Sequence, residues 1–464
     1  MTDPPQPSPA AYPRCRMPLT AARRAGERRA YGGDMGTRPH VVVIGGGFGG
    51  LAAVRALRRA DVDVTLIDRH PYNTFQPLLY QVATGTLNPG DVTWFLRSVR
   101  SKQRNVRFFQ GSCEAIDHDA HTVSLSGGEV VHFDHLVIAT GVAANYFGTP
   151  GADKYAMPLY TRSEALALRD AVFSGLEEAS VNRQYDDIRV VIVGGGPTGV
   201  ETAGALAEMR NKDIPVLYPE LDPHKVHVTL VEMSPHLLAP FAPESREYAA
   251  DSLRKRGVDL RLSTKVNEVR EDGVVVGDDK EFLPAGVVVW ASGVTAPEVV
   301  SNWGLPQGRG RRIVVDDHQR VKGCDNVYAV GDISVGEGDR ALPQLAQPAI
   351  QQGKYVGELI AAGLTGETLP PFEYKDKGIL ATIGRASAVA EVTGLPRLQG
   401  FPAWVIWNSV HIVTLLGNRN RLAAMVNLGA KYLAWGRTHN AIVGDTQVPE
   451  LDTTAQERPE VRGA

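Results

Sequence analysis

The residues best placed to do chemistry in this chain lie in two glycine-rich segments about 150 residues apart. The first reads His40-Val-Val-Val-Ile-Gly45-Gly-Gly47-Phe-Gly-Gly50 and leads on to Val-Thr-Leu-Ile-Asp68. The second reads Arg189-Val-Val-Ile-Val-Gly194-Gly-Gly196-Pro-Thr-Gly199 and leads on to Val-Thr-Leu-Val-Glu232. The uninterrupted β-branched runs fit strands buried on both faces of a parallel sheet. In each copy the first glycine turns the chain sharply out of the strand. The second lets backbone approach a pyrophosphate, and the third lets the next helix pack against the sheet. The helix then offers free N–H groups and the positive end of its dipole to phosphate. One such unit holds one dinucleotide. Two units suggest two cofactors, and a flavin with a nicotinamide is the natural pair for moving electrons. Two incidental strand–turn–helix units are the plain alternative, but strand, glycines, helix pattern and acid recur in order in both copies.

Asp68 and Glu232 each end a second strand, where a carboxylate accepts hydrogen bonds from a ribose 2′-hydroxyl. A carboxylate there also repels a 2′-phosphate, so Glu232 predicts NADH over NADPH. A solvated strand-end acid is the bland reading of either. Further along, His135-Leu-Val-Ile-Ala-Thr140-Gly141 and Val287-Val-Val-Trp-Ala-Ser-Gly293 form a weak internal repeat, each a buried strand running into a tight turn. Asn326-Val-Tyr-Ala-Val-Gly-Asp332 ends an apolar strand on a carboxylate that suits a flavin's ribityl or phosphate groups or is merely structural. If that strand belongs to the first unit, the first domain is split in sequence by the second. A helix is expected from about Gln347 to Leu359. Gln347 and Gln351 then share one face, where two amides suit a flavin edge or simply face solvent. Glu201 falls in the first turns of the helix after Gly199. There it either complements the dipole or, enclosed beside a flavin, has a raised pKa and relays protons. The stretch between Arg210 and Val226 contains two internal prolines before Pro223 and is read as an extended loop.

With these residues in view, the chain resembles the type II NADH dehydrogenases, single-chain, non-pumping NADH:quinone oxidoreductases among the two-dinucleotide-domain flavoproteins. The matching stretches are Gln76 to Gly85, Gly194 to Glu201, Trp290 to Pro297, Ala329 to Asp332, Ala346 to Gly353 and Lys377 to Gly384, together with the tail from Gly400 to Arg421. The resemblance implies FAD on the first unit, held by Gly45, Gly47, Phe48, Gly49, Gly50, Asp68, Thr140, Gly141, Asp332 and Lys377. It implies NADH on the second, held by Gly194, Gly196, Gly199, Glu232 and Gly293. It makes Glu201 and Gln347 catalytic, with Gln347 and Gln351 at the quinone. Some relatives carry histidine at the position of Ile350, which therefore takes no part in proton transfer here.

The elements that must position these residues form an α/β molecule with two Rossmann-like domains. The expected division is a disordered extension over 1–38, FAD domain over 39–158 and 311–395, NADH domain over 159–310, and a tail over 396–464. The extension is rich in Pro, Ala and Arg and has no apolar core like that of a secretory signal. Met35, just before the first strand, offers an alternative start. From Phe401 to Gly444 there is no Asp or Glu, while Arg419, Arg421, Lys431 and Arg437 are basic and Trp404, Trp407 and Trp435 fall inside. Leu422, Met425, Val426, Gly429, Tyr432 and Leu433 recur at helical spacing. That pattern predicts helices lying in a membrane interface, a dimerisation or packing helix pair, or both. The apolar run from Phe401 to Gly417 is shorter than the ~20 residues of a span. The expected partners are therefore a membrane quinone, a lipid surface and a second copy of the chain, at the cytoplasmic face of the cell membrane.

Composition narrows the field. A net charge of −3 over 464 residues argues against nucleic-acid binding. Cys15, Cys113 and Cys324 are too far apart for a local dithiol, which removes the dithiol-disulfide reductases. The histidines are scattered with no H-E-x-x-H, and His224 and His227, though spaced i,i+3, follow Pro223 in a loop, so no metal is expected. A sulfide:quinone oxidoreductase, a soluble NADH reductase and a non-catalytic redox sensor remain as alternatives.

Overall fold

The computed structural model describes residues 38–182 and 187–434. Apart from Arg38 the expected N-terminal extension lies outside the described residues, as do Trp435 and Arg437. The strand His40–Ile44 is buried at all five positions, as its continuous apolar run requires. It lies at the centre of a five-stranded parallel sheet ordered Val327–Ala329, His135–Ile138, His40–Ile44, Asp63–Asp68, Val106–Gln110. The second unit repeats the plan. Met157–Pro158, Val287–Trp290, Ile188–Val193, Val226–Val231 and Asp259–Arg261 pair in parallel in that order. Each unit also carries a three-stranded antiparallel meander, over Cys113–His132 in the first and Val266–Pro284 in the second. The strand Val327–Ala329 pairs with His135–Ile138 from the far side of the second unit, so the first domain is discontinuous.

Eight helices matter below: α1 (Phe48–Ala56), α2 (Leu79–Ala83), α3 (Arg162–Val181), α4 (Pro197–Glu208), α5 (Pro243–Lys255), α6 (Ala346–Leu364), α7 (Phe401–Thr414) and α8 (Asn418–Ala434). Helix α6 closes the split domain by packing on α1 at backbone distance. A Cβ on Gly353 would lie 2.0 Å from the Gly49 carbonyl oxygen, and one on Gly357 2.7 Å from that of Ala53. The C-terminal part forms a small antiparallel sheet, Gly378–Gly384, Ser387–Val392 and Leu398–Gln399, followed by α7 and α8. It rests on α4, where a Cβ on Gly204 would lie 2.4 Å from the Ile383 carbonyl oxygen.

Two features differ from expectation. Residues 211–225 are not simply a loop. Helix α4 runs on through a widened π turn, Met209–Asp213, into a further helical turn, Ile214–Leu217. Pro215 is tolerated because it falls in the first turn of that last piece, where the missing N–H leaves no bond unmade. The tail helices are also more than a surface foot. Trp407, Leu415, Ala424 and Leu428 belong to the largest buried cluster of the molecule, and Lys431 Nζ bonds the buried Asp213 carboxylate at 3.2 Å. The opposite faces are open, with Phe401, Val413, Leu422, Met425 and Val426 all more than half exposed. No described helix is long and apolar enough to cross a membrane.

Candidate active site

The two glycine loops have matching geometry. Gly45 and Gly194 sit at φ +105° and +111°, a region that favours glycine. A Cβ on Gly45 would lie 2.2 Å from the Ala139 carbonyl oxygen, and one on Gly50 1.8 Å from that of Gly45. In the second loop the corresponding approaches are 2.7 Å for Gly194 and 1.9 Å for Gly199. Packing therefore demands the first and third glycines. The middle ones differ: a Cβ on Gly47 or Gly196 would meet nothing within 4 Å. Open space in front of the N-termini of α1 and α4 is what a pyrophosphate needs.

The acids have a second task that the motif reading did not anticipate. Asp68 accepts from the Gly46 and His70 N–H groups, both at 2.7 Å. Glu232 accepts from those of Gly195 at 2.5 Å and Ser234 at 2.6 Å. Each carboxylate fixes its own glycine loop and keeps lone pairs for a ribose. Burial raises the Asp68 pKa, and the bonds from Gly46 and His70 work against that rise.

Around the first loop, the buried Thr140 hydroxyl has no hydrogen-bond partner among the described residues, and the next residue, Gly141, is at φ +67°. Asp332 accepts from the Tyr160 hydroxyl at 3.0 Å, and burial pushes its pKa up to about 6. It borders a cavity of about 220 Å³ shared with Arg312 and Gln352. Gln352 is buried and accepts from the Gly331 N–H at 2.8 Å, holding the Gly-Asp turn against α6. An open loop, an unpartnered hydroxyl and a buried carboxylate at the C-terminal end of one sheet fit a flavin dinucleotide. Lys377 is exposed, immediately before the strand Gly378–Gly384. Gly293 is at φ +68° beneath the Phe147 ring.

Glu201, on α4, is buried and packed among aromatic side chains that form an aromatic chamber around it. Its Oε1 accepts from the Trp407 indole N–H at 3.1 Å and the Thr382 N–H at 3.3 Å. Burial pushes its pKa up to about 8, against the pull of the Thr382 and Trp407 bonds. An edge-to-face contact of 6.1 Å joins the Trp407 and Tyr80 rings, and the His411 ring stacks on Trp407 at 4.0 Å. The His411 Nδ1–H donates to the Trp407 carbonyl at 2.7 Å, and burial pushes its pKa down to about 4, so the ring is neutral. Phe75 meets His411 edge-on and Phe48 meets Phe75. A continuous run of rings thus links the start of α1 to the Glu201 carboxylate. Gln81, beside Tyr80, is buried and its Oε1 is unpartnered.

Gln347 sits in the first turn of α6, half-buried. Gln351 is committed elsewhere, since its amide accepts from the Lys375 N–H and donates to the Lys375 carbonyl, both at 3.0 Å. Sequence reasoning missed Tyr80, Gln81, Trp407, His411, Tyr160, Arg312 and Gln352. Tyr80 and Gln81 fall inside the Gln76–Gly85 stretch, but nothing in its residue types marked them. Trp407 was counted among the interfacial tryptophans. Cys113 is buried in the first unit's core, with its thiol pushed up to about 12 by burial, and so is no thiolate for sulfur chemistry. Among the described residues no group of three or more His, Cys, Asp or Glu is placed to hold a metal ion.

Fold and site together define a flavoprotein with separate FAD and NADH domains. The pyridine nucleotide-disulphide oxidoreductase family matches residues 39–353, and the NDH2 C-terminal domain matches residues 377–438. The chain is 35% identical over 453 residues to the type II NADH:quinone oxidoreductase NdhA of Mycobacterium tuberculosis, covering 94% of this chain and 95% of that one. It is 34% identical over 373 residues to the type II NADH:quinone oxidoreductase of Staphylococcus aureus, covering 77% and 91%. NDH2 of Plasmodium falciparum, solved with NADH, superposes with a TM-score of 0.78 at 21% identity over 86% of this chain and 99% of that one. The sulfide:quinone oxidoreductase of Aquifex aeolicus superposes with a TM-score of 0.68 at 22% identity over 85% and 94%. These two likenesses show the fold alone. The chain belongs to the type II NADH:quinone oxidoreductases. It is an FAD-dependent enzyme that takes electrons from NADH and passes them to a quinone.

Proposed function

We propose that the chamber around Glu201 is where the quinone receives its protons. Bound FAD supplies the redox chemistry, taking a hydride from NADH and giving two electrons to the quinone. The observation that carries the reading is a buried carboxyl set among aromatic rings and bonded to the Trp407 indole, with its pKa pushed up to about 8. Such a group is protonated at neutral pH and close to the ideal strength for a general acid. Phe48, Phe75, Tyr80 and Trp407 offer the flat apolar walls that a quinone ring needs. Gln347 presents an amide to the quinone carbonyl, while Gln351 acts through the Lys375 loop that it holds.

In the same proposal FAD is held by Gly45, Gly47, Phe48, Gly49, Gly50, Asp68, Thr140, Gly141, Asp332 and Lys377. NADH is held by Gly194, Gly196, Gly199, Glu232 and Gly293. The open space over Gly47 and Gly196 supports both assignments. Glu232 excludes a 2′-phosphate by charge. Glu232→Ala should raise kcat/KM for NADPH relative to NADH in steady-state assays, and no relative gain would refute that role.

The exposed apolar faces of α7 and α8, with Arg419 and Arg421 beside them, support attachment to a lipid surface at the cytoplasmic face of the cell membrane. A homodimer is the companion reading of the same faces, and light scattering of the detergent-solubilised protein checks it. The test of the site is Glu201→Gln. It should keep the FAD, lower quinone-dependent kcat by about 10²-fold, and abolish the alkaline limb of the pH profile. Unchanged turnover would remove Glu201 from the mechanism.

A further inference from the structure

A second cavity, of about 590 Å³, opens where the α7–α8 turn meets the segment after Gly90. Its walls carry Lys102 and Arg419, the hydroxyl of Ser98, the amide of Asn418, and the rings of Trp94 and Phe95. The walls are fixed to one another. Asn420 Nδ2 donates to the Thr93 carbonyl at 2.5 Å, and Gly417 lies so close to Trp94 that a Cβ there would sit 3.0 Å from the indole.

The electrostatics of this place follow from the sequence. From Val92 to Cys113 there is no Asp or Glu, but there are Arg97, Arg100, Lys102, Arg104 and Arg107. The tail from Phe401 onward is likewise acid-free as far as Gly444. The fold brings these two segments together at the cavity. Arg97 is spent on the Phe108 ring, and Arg100 on the carbonyls of Arg104 and Val106. Lys102 and Arg419 have no carboxylate partner among the described residues. The first residues of α8 line the same space, so that helix's dipole adds to their field. Phe95, in the wall, is 53% exposed, and the two helices joined by the turn carry the exposed Val413 on α7 and Leu422 on α8.

We infer that this cavity binds the phosphate headgroup of an anionic phospholipid, whose chains lie along Phe95, Val413 and Leu422. Two cations without counter-ions match a phosphodiester, aromatic rings suit the headgroup level, and the apolar rim suits what lies below it. The inference rests on the proposed membrane contact and adds to it a site that selects lipid by charge.

The test uses the full-length, FAD-loaded protein, co-sedimented with vesicles of phosphatidylcholine alone or mixed with phosphatidylglycerol. Wild type should bind the anionic vesicles more tightly. The double variant Lys102→Gln with Arg419→Gln should lose about thirtyfold on anionic vesicles and little on phosphatidylcholine. It should also keep wild-type NADH oxidation with a short-chain quinone, which shows that it is folded. Leu422→Ser with Val426→Ser should weaken binding to both vesicle types. A charge variant with wild-type affinity for anionic vesicles overturns the headgroup site and leaves the apolar foot standing. If the apolar variant also binds as wild type, the foot falls too. Inorganic phosphate is the soluble probe. A thermal midpoint raised by phosphate beyond chloride at matched ionic strength, together with no preference for anionic vesicles, marks a free-anion site and overturns the lipid assignment.

Discussion

Glu201 shows how much one side chain's chemistry depends on what is folded around it. Its place on the helix after Gly199 was legible from the sequence, but its partners were not, because Thr382 and Trp407 lie 181 and 206 positions further along the chain. Burial raises its pKa far above that of an unfolded carboxyl. Between those two values the folded chain holds a proton that the unfolded chain has lost, so this group makes stability fall as pH rises from the ordinary carboxylate range to about 8. Glu201→Gln should flatten that part of the pH–stability curve, as read from denaturant midpoints. The Trp407 bond pulls the pKa down. Trp407→Phe keeps a ring in the chamber but removes the donor, so the alkaline limb of quinone reduction should move to higher pH. A limb that stays in place would mean that the indole does not act through the carboxyl.

At the scale of elements, the glycines divide by what they touch. The motif spacing alone identified the loops, and the structure bears out its physical reading, since Gly50 and Gly199 press on the carbonyls of Gly45 and Gly194. Gly204 carries no motif, yet it sets the distance between α4 and the strand Gly378–Gly384. Gly204→Ala should force these apart at a cost of about 1–3 kcal/mol. Quinone turnover should fall through displacement of Glu201 while the flavin spectrum is kept. An unchanged rate would show that the contact is slack. The continuation of α4 past Arg210 escaped the sequence reading because prolines were weighed as breakers, and a π turn has no simple residue signature. Its Asp213 is nearly inaccessible and meets Lys431 of α8. Lys431→Ala removes a buried partner of that carboxylate and should lower the thermal midpoint and speed proteolysis of the tail. An unaltered midpoint would argue against this pair as the anchor of α8.

For the whole molecule, the two-unit plan was legible because its signals are local: β-branched runs, glycines and an acid at fixed spacing. The weak repeat seen in the return strands extends, in the structure, to entire sheets and their meanders. The tail was legible only in part. Its apolar spacing and acid-free composition point outward, and Leu422, Met425 and Val426 are exposed, but Tyr432 of the same set packs on the core. Its inner faces, which pack on the core and supply Trp407, needed three-dimensional context to recognise. Deleting 396–464 would therefore damage the chamber as well as any membrane contact, and surface substitutions are the cleaner probe. The central claim is that this chain carries electrons from NADH through FAD to quinone, with Glu201 serving only the second half. Anaerobic rapid mixing tests it most directly, following flavin absorbance first with NADH and then with quinone. Wild type should bleach and then recover. Glu201→Gln should bleach at the wild-type rate and recover about 10²-fold more slowly. A variant that bleaches slowly but recovers at the normal rate would contradict the account.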